Sequence, residues 1–144
     1  MRLLDSFAAP HIVIRDYAIS FNDNLAKAEE GNARAQSDLG VMYGLGLGCR
    51  QDYACAVRWY RRAAEQAYAP AQSNLGFMFG TGRGVPQDFV QAYAWYNLAA
   101  AGGEELARAN RDLVAARMTP GQLERAQDLS RDLFARHQPD QAQP

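Results

Sequence analysis

The stretch AQSDLGVMYGLGLG, residues 35–48, is rewritten at residues 71–84 as AQSNLGFMFGTGRG. Aligned without a gap, 35–64 and 71–100 are identical at more than half of their positions. The identities include Ala35/Ala71, Gln36/Gln72, Leu39/Leu75 and Gly40/Gly76, then Gly44/Gly80, Gly46/Gly82 and Gly48/Gly84. They continue through Asp52/Asp88, Ala56/Ala92, Trp59/Trp95, Tyr60/Tyr96 and Ala63/Ala99. A fixed period of 36 residues marks a repeat array, in which each unit buries its apolar face against the next.

Each unit reads as two helices. The first runs from about Ala33 to Tyr43, and again from about Ala69 to Phe79, with Gln36, Leu39 and Tyr43 along one face. Gly40 and Gly76 fall in mid-helix, where glycine costs about 1 kcal/mol against alanine. Close approach of a neighbouring helix would offset that cost. The second helix starts at Asp52 and Asp88, both good N-caps, and Asp88 with Gln91 has capping-box spacing. Ala56, Trp59, Tyr60 and Ala63 then form an i, i+3, i+4, i+7 stripe, as do Ala92, Trp95, Tyr96 and Ala99. Between the helices, GLGLGCRQ and GTGRGVPQ supply glycines that accept positive φ and reverse the chain. Cys49 and Val85, which share a register position, are expected in the gap between helices.

The register extends outward. Asp16, Tyr17, Ala18 and Ala28 fall on Asp52, Tyr53, Ala54 and Ala64, which makes 16–30 a worn second helix. Residues 1–15 are an N-terminal extension, with Leu3 and Phe7 falling on Leu39 and Tyr43 as in a decayed half-repeat. Forward, Gly103 falls on Ala67 and Ala107 on Ala71, so 104–117 reads as a third first helix without its glycine loop. The array thus covers 16–118, with two full units and flanking partial ones. Thr119-Pro120-Gly121-Gln122 is a capping box with proline at the first helical position. The helix it opens, 119–137, aligns Leu123, Ala126, Leu129 and Leu133, and is expected to cap the array by covering the apolar side of the 104–117 helix. The polar tail 138–144 is expected to be disordered. The expected fold is all-α, a solenoid of about seven helices.

The chain has 144 residues, 48% hydrophobic and 22% charged, with net charge -1. These values suit a single globular domain and supply no basic field for nucleic acid or anionic membranes. No apolar run reaches the ~20 residues of a membrane span, and Asp5, Pro10, His11 and Arg15 interrupt any signal-peptide core. A cytoplasmic location with two reduced thiols, Cys49 and Cys55, is the expectation.

The pattern AQxxLGxMYxxGxG, then Asp, then AxxWYxxAA resembles the Sel1-like repeats, relatives of the tetratricopeptide repeats with a longer internal loop. The resemblance implies a right-handed superhelix of antiparallel helix pairs. It implies a non-catalytic adaptor or scaffold that holds a protein or peptide in a concave groove lined by the first helices, as in bacterial signalling, envelope and secretion complexes. A cysteine-rich branch of that family is linked to β-lactam binding and hydrolysis. This chain departs from it: both cysteines lie in one unit, and Ser20, Ser37, Ser73 and Ser130 have no lysine three residues on. A structural subunit whose groove is filled by its own termini is a further alternative.

Local spacing offers no catalysis. GLGLG and GTGRG follow a helix and lack both GxGxxG and GK[ST], so they do not read as phosphate loops. His11 and His137 stand at opposite ends, without metal-ligand partners. No cofactor, metal or nucleic acid is expected. Trp59 and Trp95 read as core residues, and Arg58, Arg61 and Arg62 as a solvated outer face. In the next unit those arginine positions hold Ala94, Asn97 and Leu98, an uncharged face that the C-terminal segment or a partner should cover. The candidate groove lies on the first helices, off their core stripe. It comprises Arg34, Ser37, Asp38 and Val41 in one unit and Ser73, Asn74 and Phe77, beside Pro70, in the next. Asn110 and Leu113, with Leu106 and Ala109, follow in the third. Polar members can hydrogen-bond an extended peptide, and Val41, Phe77 and Leu113 can anchor its side chains or pack on neighbouring helices.

Overall fold

The computed structural model describes residues 10–137; the extension before Pro10 and the tail 138–144 lie outside the described residues. Among these residues the structure is all-helical: α1 (Pro10–Glu29), α2 (Ala33–Leu45), α3 (Tyr53–Ala64), α4 (Ala69–Thr81), α5 (Phe89–Ala101), α6 (Glu105–Ala115) and α7 (Pro120–His137). α1 begins before residue 16, where the array was expected to start. Each helix from α1 to α5 packs on the next, as stacked helix pairs do in a solenoid.

The termini form for the reasons the repeat suggests. The Asp52 carboxylate accepts from the Cys55 N–H at 3.0 Å, and that of Asp88 from the Gln91 N–H at 3.1 Å. The reciprocal half of the Asp88–Gln91 box is not made: the Asp88 N–H donates to the Phe79 carbonyl at 2.9 Å, and Gln91 Oε1 accepts from the Trp95 indole N–H at 3.2 Å. Gly46 and Gly82 end α2 and α4 in the left-handed conformation, with φ 71° and 70°. Gly48 and Gly84 are also left-handed; Gly48 is pressed against α1 at Tyr17 and Gly84 against the first turn of α3 at Tyr53. A side chain at either would overlap the backbone carbonyl of Tyr17 or of Tyr53. That contact recurs with the 36-residue period and places α1 against α2 as α3 stands against α4.

Four other features repeat with it. Gln36 and Gln72 are almost wholly buried and donate through Nε2 to the carbonyls of Ala28 and Ala64 at 3.0 and 3.2 Å. Each first helix thereby satisfies the C-terminal turn of the helix before it. Gln51 and Gln87 donate to Gly44 and Gly80 carbonyls at 2.8 and 2.9 Å, tying the loop to the end of its own helix. Gly40 and Gly76 lie under Tyr60 and Tyr96: a methyl group would stand 2.5 Å from the Tyr60 ring and 3.0 Å from that of Tyr96. Leu39 and Leu75 beside them are fully buried. The mid-helix glycines are where the second helix closes on the first.

The last two helices depart from expectation in part. α7 packs on α5, over the uncharged face that the C-terminal segment or a partner was expected to cover, and does not close over α6 as was also expected. The reason lies in α6, which has Arg111 and Asp112 at the positions of Leu75 and Gly76. A guanidinium and a carboxylate cannot receive a second helix in that place. Arg111 instead donates to Asp112 Oδ1 through Nε and Nη2 and to Asn97 Oδ1 at 2.8 Å. The outer face of α5 is the apolar alternative. Ala94, Trp95 and Leu98 are buried, and Leu129 and Leu133 of α7 join the same core. Thr119 and Gln122 form the expected reciprocal box, with bonds of 2.9 and 3.1 Å. The two tryptophans consequently differ. Trp95 is buried, with the His137 ring edge-on at 5.7 Å, whereas Trp59 is half-buried, packed on the Ala28, Ala35 and Leu39 cluster with Arg62 over its ring at 4.6 Å.

Candidate interaction groove

Val41 on α2, Phe77 on α4 and Leu113 on α6 occupy the same register position in three successive helices. Phe77 is 42% exposed and Leu113 69% exposed, although both are large and apolar. Val41 is half-buried against the main core. Two concavities flank Phe77. The first, of ≈ 260 Å³, is lined by Val41, Leu45, Tyr53, Tyr60, Asn74, Phe77 and Arg83 among others. The second, of ≈ 190 Å³, is lined by Phe77, Phe89, Tyr96, Asn110, Leu113 and Arg117 among others.

The candidate residues therefore divide. Val41, Asn74 and Phe77 meet in one concavity, and Phe77, Asn110 and Leu113 in the other. Arg34 and Asp38 are exposed and face each other at 4.0 Å across one helical turn, outside both. Ser73 is half-buried and lines neither. Ser37 is only 4% exposed, so its hydroxyl is not offered to a ligand.

The sequence did not place Tyr53, Tyr60, Tyr96, Phe89, Arg83 or Arg117 at the groove. Tyr60 and Tyr96 belong to the core stripe, yet they cross the first helices at Gly40 and Gly76 and so reach the cavity walls. The mid-helix glycines were the available signal. Burial pushes both hydroxyls up to about 12. Arg83 lies in the second glycine loop, where the first has Leu47, and the gain of a charge between its glycines was its signal.

Elsewhere, Arg58 donates to Cys55 Sγ at 2.8 Å and Arg61 lies 5.7 Å from the centre of the Phe79 ring, so this arginine cluster is partly engaged with its own array. Cys49 and Cys55 are both free, and burial pushes both thiols up. Cys49 is half-buried and donates weakly to the Met42 carbonyl at 3.6 Å, and Val85 packs on the main core. Among the described residues no group of three or more His, Cys, Asp or Glu is placed to hold a metal, and no helix is long and apolar enough to cross a membrane.

The model of the Sel1 repeat matches residues 33–68 and again 69–104, which is half of the chain. The chain belongs to the Sel1 repeat family. Its Sel1 fold is similar to that of a protective antigen present in uropathogenic Escherichia coli strains, which displays an SLR fold. That likeness has a TM-score of 0.79 and 33% identity over 81% of this chain and 25% of the other. A Sel1 repeat protein from Oxalobacter formigenes aligns with a TM-score of 0.64 and 38% identity over 67% of this chain and 40% of its own. The chain thus spans well under two thirds of either relative. No curated protein matches it. Sel1 repeat proteins are generally non-catalytic scaffolds, and their fold commonly mediates protein–protein interaction.

Proposed function

We propose that this Sel1 array is an adaptor that binds an extended segment of a partner protein along the face of α2, α4 and α6. The observation that carries the reading is Phe77, a large apolar side chain held 42% exposed between two concavities. Exposed apolar surface of this kind, edged by hydrogen-bonding groups, is what peptide-binding grooves present. Asn74 and Asn110 stand one helical turn before Phe77 and Leu113, where their amides can pair with a backbone while the apolar residues seat side chains.

The test is affinity capture from the native cell, run in parallel with wild type and Phe77→Ala and read by quantitative mass spectrometry. The account expects a protein that is retained by wild type and depleted with the variant. A protein retained equally by both places the binding face elsewhere. Nitrocefin turnover separates the adaptor from a β-lactam hydrolase: the adaptor gives none above a heat-denatured control.

A further inference from the structure

Arg83 is held between two left-handed glycines, Gly82 and Gly84, and its N–H donates to the Met78 carbonyl at 3.0 Å. Because Gly84 is docked on the first turn of α3, the Arg83 guanidinium is carried over two rings. It lies 5.6 Å from the centre of Tyr53 and 5.1 Å from that of Phe77. Arg117, just past the end of α6, lies 5.5 Å from the centre of the Phe89 ring. Phe89 is the register equivalent of Tyr53. Successive units thus place a guanidinium over the aromatic residue that opens the second helix, one from a loop and the other from a helix end.

Neither Arg83 nor Arg117 has an ion-pair partner among the described residues, and no Asp or Glu lines either concavity. The carboxylate on this face, Asp38, is turned to Arg34, and its equivalents are the neutral Asn74 and Asn110. A guanidinium held near an aromatic ring without a carboxylate partner still has N–H groups available for contact with a carboxylate. The whole chain carries a net charge of -1, so the positive edge of the groove does not follow from an overall basic composition.

We infer that the groove selects an acidic segment, whose carboxylates are read by Arg83 and Arg117 while its bulky apolar side chains seat beside Phe77 and Leu113. The inference rests on the groove reading and adds the chemistry of the ligand. It is tested with a phage-displayed library of random dodecapeptides selected on wild type, Phe77→Ala and the double variant Arg83→Gln/Arg117→Gln, with fold checked by circular dichroism. Wild type is expected to enrich peptides rich in Asp or Glu beside Leu, Ile or Phe. A synthetic peptide of that kind should bind the double variant at least tenfold more weakly, and wild type more tightly as salt is lowered. Ligands that depend on Phe77 but show no acidic bias, or that lose nothing in the double variant, overturn this inference and leave the groove standing. Ligands indifferent to Phe77→Ala, or no enrichment at all, overturn the groove reading and the inference with it.

Discussion

Single residues show how tightly the period is enforced. The turns before α2 and α6 use Gly31 and Gly103 at φ 100° and 102°, whereas the turn before α4 uses Ala67 at 62°. An alanine there carries the steric cost of the left-handed region, about 1 kcal/mol. Ala67→Gly should therefore raise stability by about 0.5 kcal/mol after the added freedom of the unfolded chain is counted, read as an upward shift in melting temperature. Gly40 and Gly76 pull the other way. Leucine at either drives into a buried tyrosine ring and should cost about 3 kcal/mol, with Gly40 the worse because its contact is tighter. Melting within a degree of wild type would contradict that packing. The same two tyrosines set an alkaline limit. Their folded pKa values are raised to about 12 by burial, so the stability they contribute is complete below the ordinary value near 10 and is lost as pH rises towards 12. Helicity followed by circular dichroism from pH 9 to 12 should fall together with late tyrosine ionisation at 295 nm.

At the scale of elements, the helices within the repeat were legible because caps and glycines leave local signatures. Asp52, Asp88 and the Thr119 box sit at helix starts and Gly46 and Gly82 at helix ends, and all are decided within one turn of chain. The destination of α7 was less so. Its apolar stripe said that it must bury a face, but the choice between α5 and α6 rests on Arg111 and Asp112 being unfit to receive it. The signal was present in the uncharged Ala94, Asn97 and Leu98, whose counterparts on α3 are arginines. A chain ending at Met118 should expose the apolar face of α5, including Trp95 and Leu98. It should associate or lose helicity, with Trp fluorescence shifted to the red; a monomer that melts as wild type would contradict the role of α7 as the cover of that face.

For the whole molecule, the array is a stack in which each helix answers mainly to its neighbours, and that is why one alignment of 35–64 on 71–100 conveys most of the fold. The groove is read less easily, because it depends on how far apart successive first helices stand and on what crosses between them. Register alone put Val41, Asn74, Phe77, Asn110 and Leu113 on one face. It could not show that Ser37 is buried or that Tyr60 and Tyr96 pass the glycines to line the cavities. The central claim is that Phe77 is exposed for binding and adds little to the core. The measurement that tests it most directly is calorimetric affinity and melting temperature on one preparation of Phe77→Ala, with the partner that wild type captures. The account predicts binding weakened at least tenfold, about 1.4 kcal/mol or more, with melting shifted by no more than a few degrees. Unchanged affinity, or a collapse in melting temperature, would contradict it.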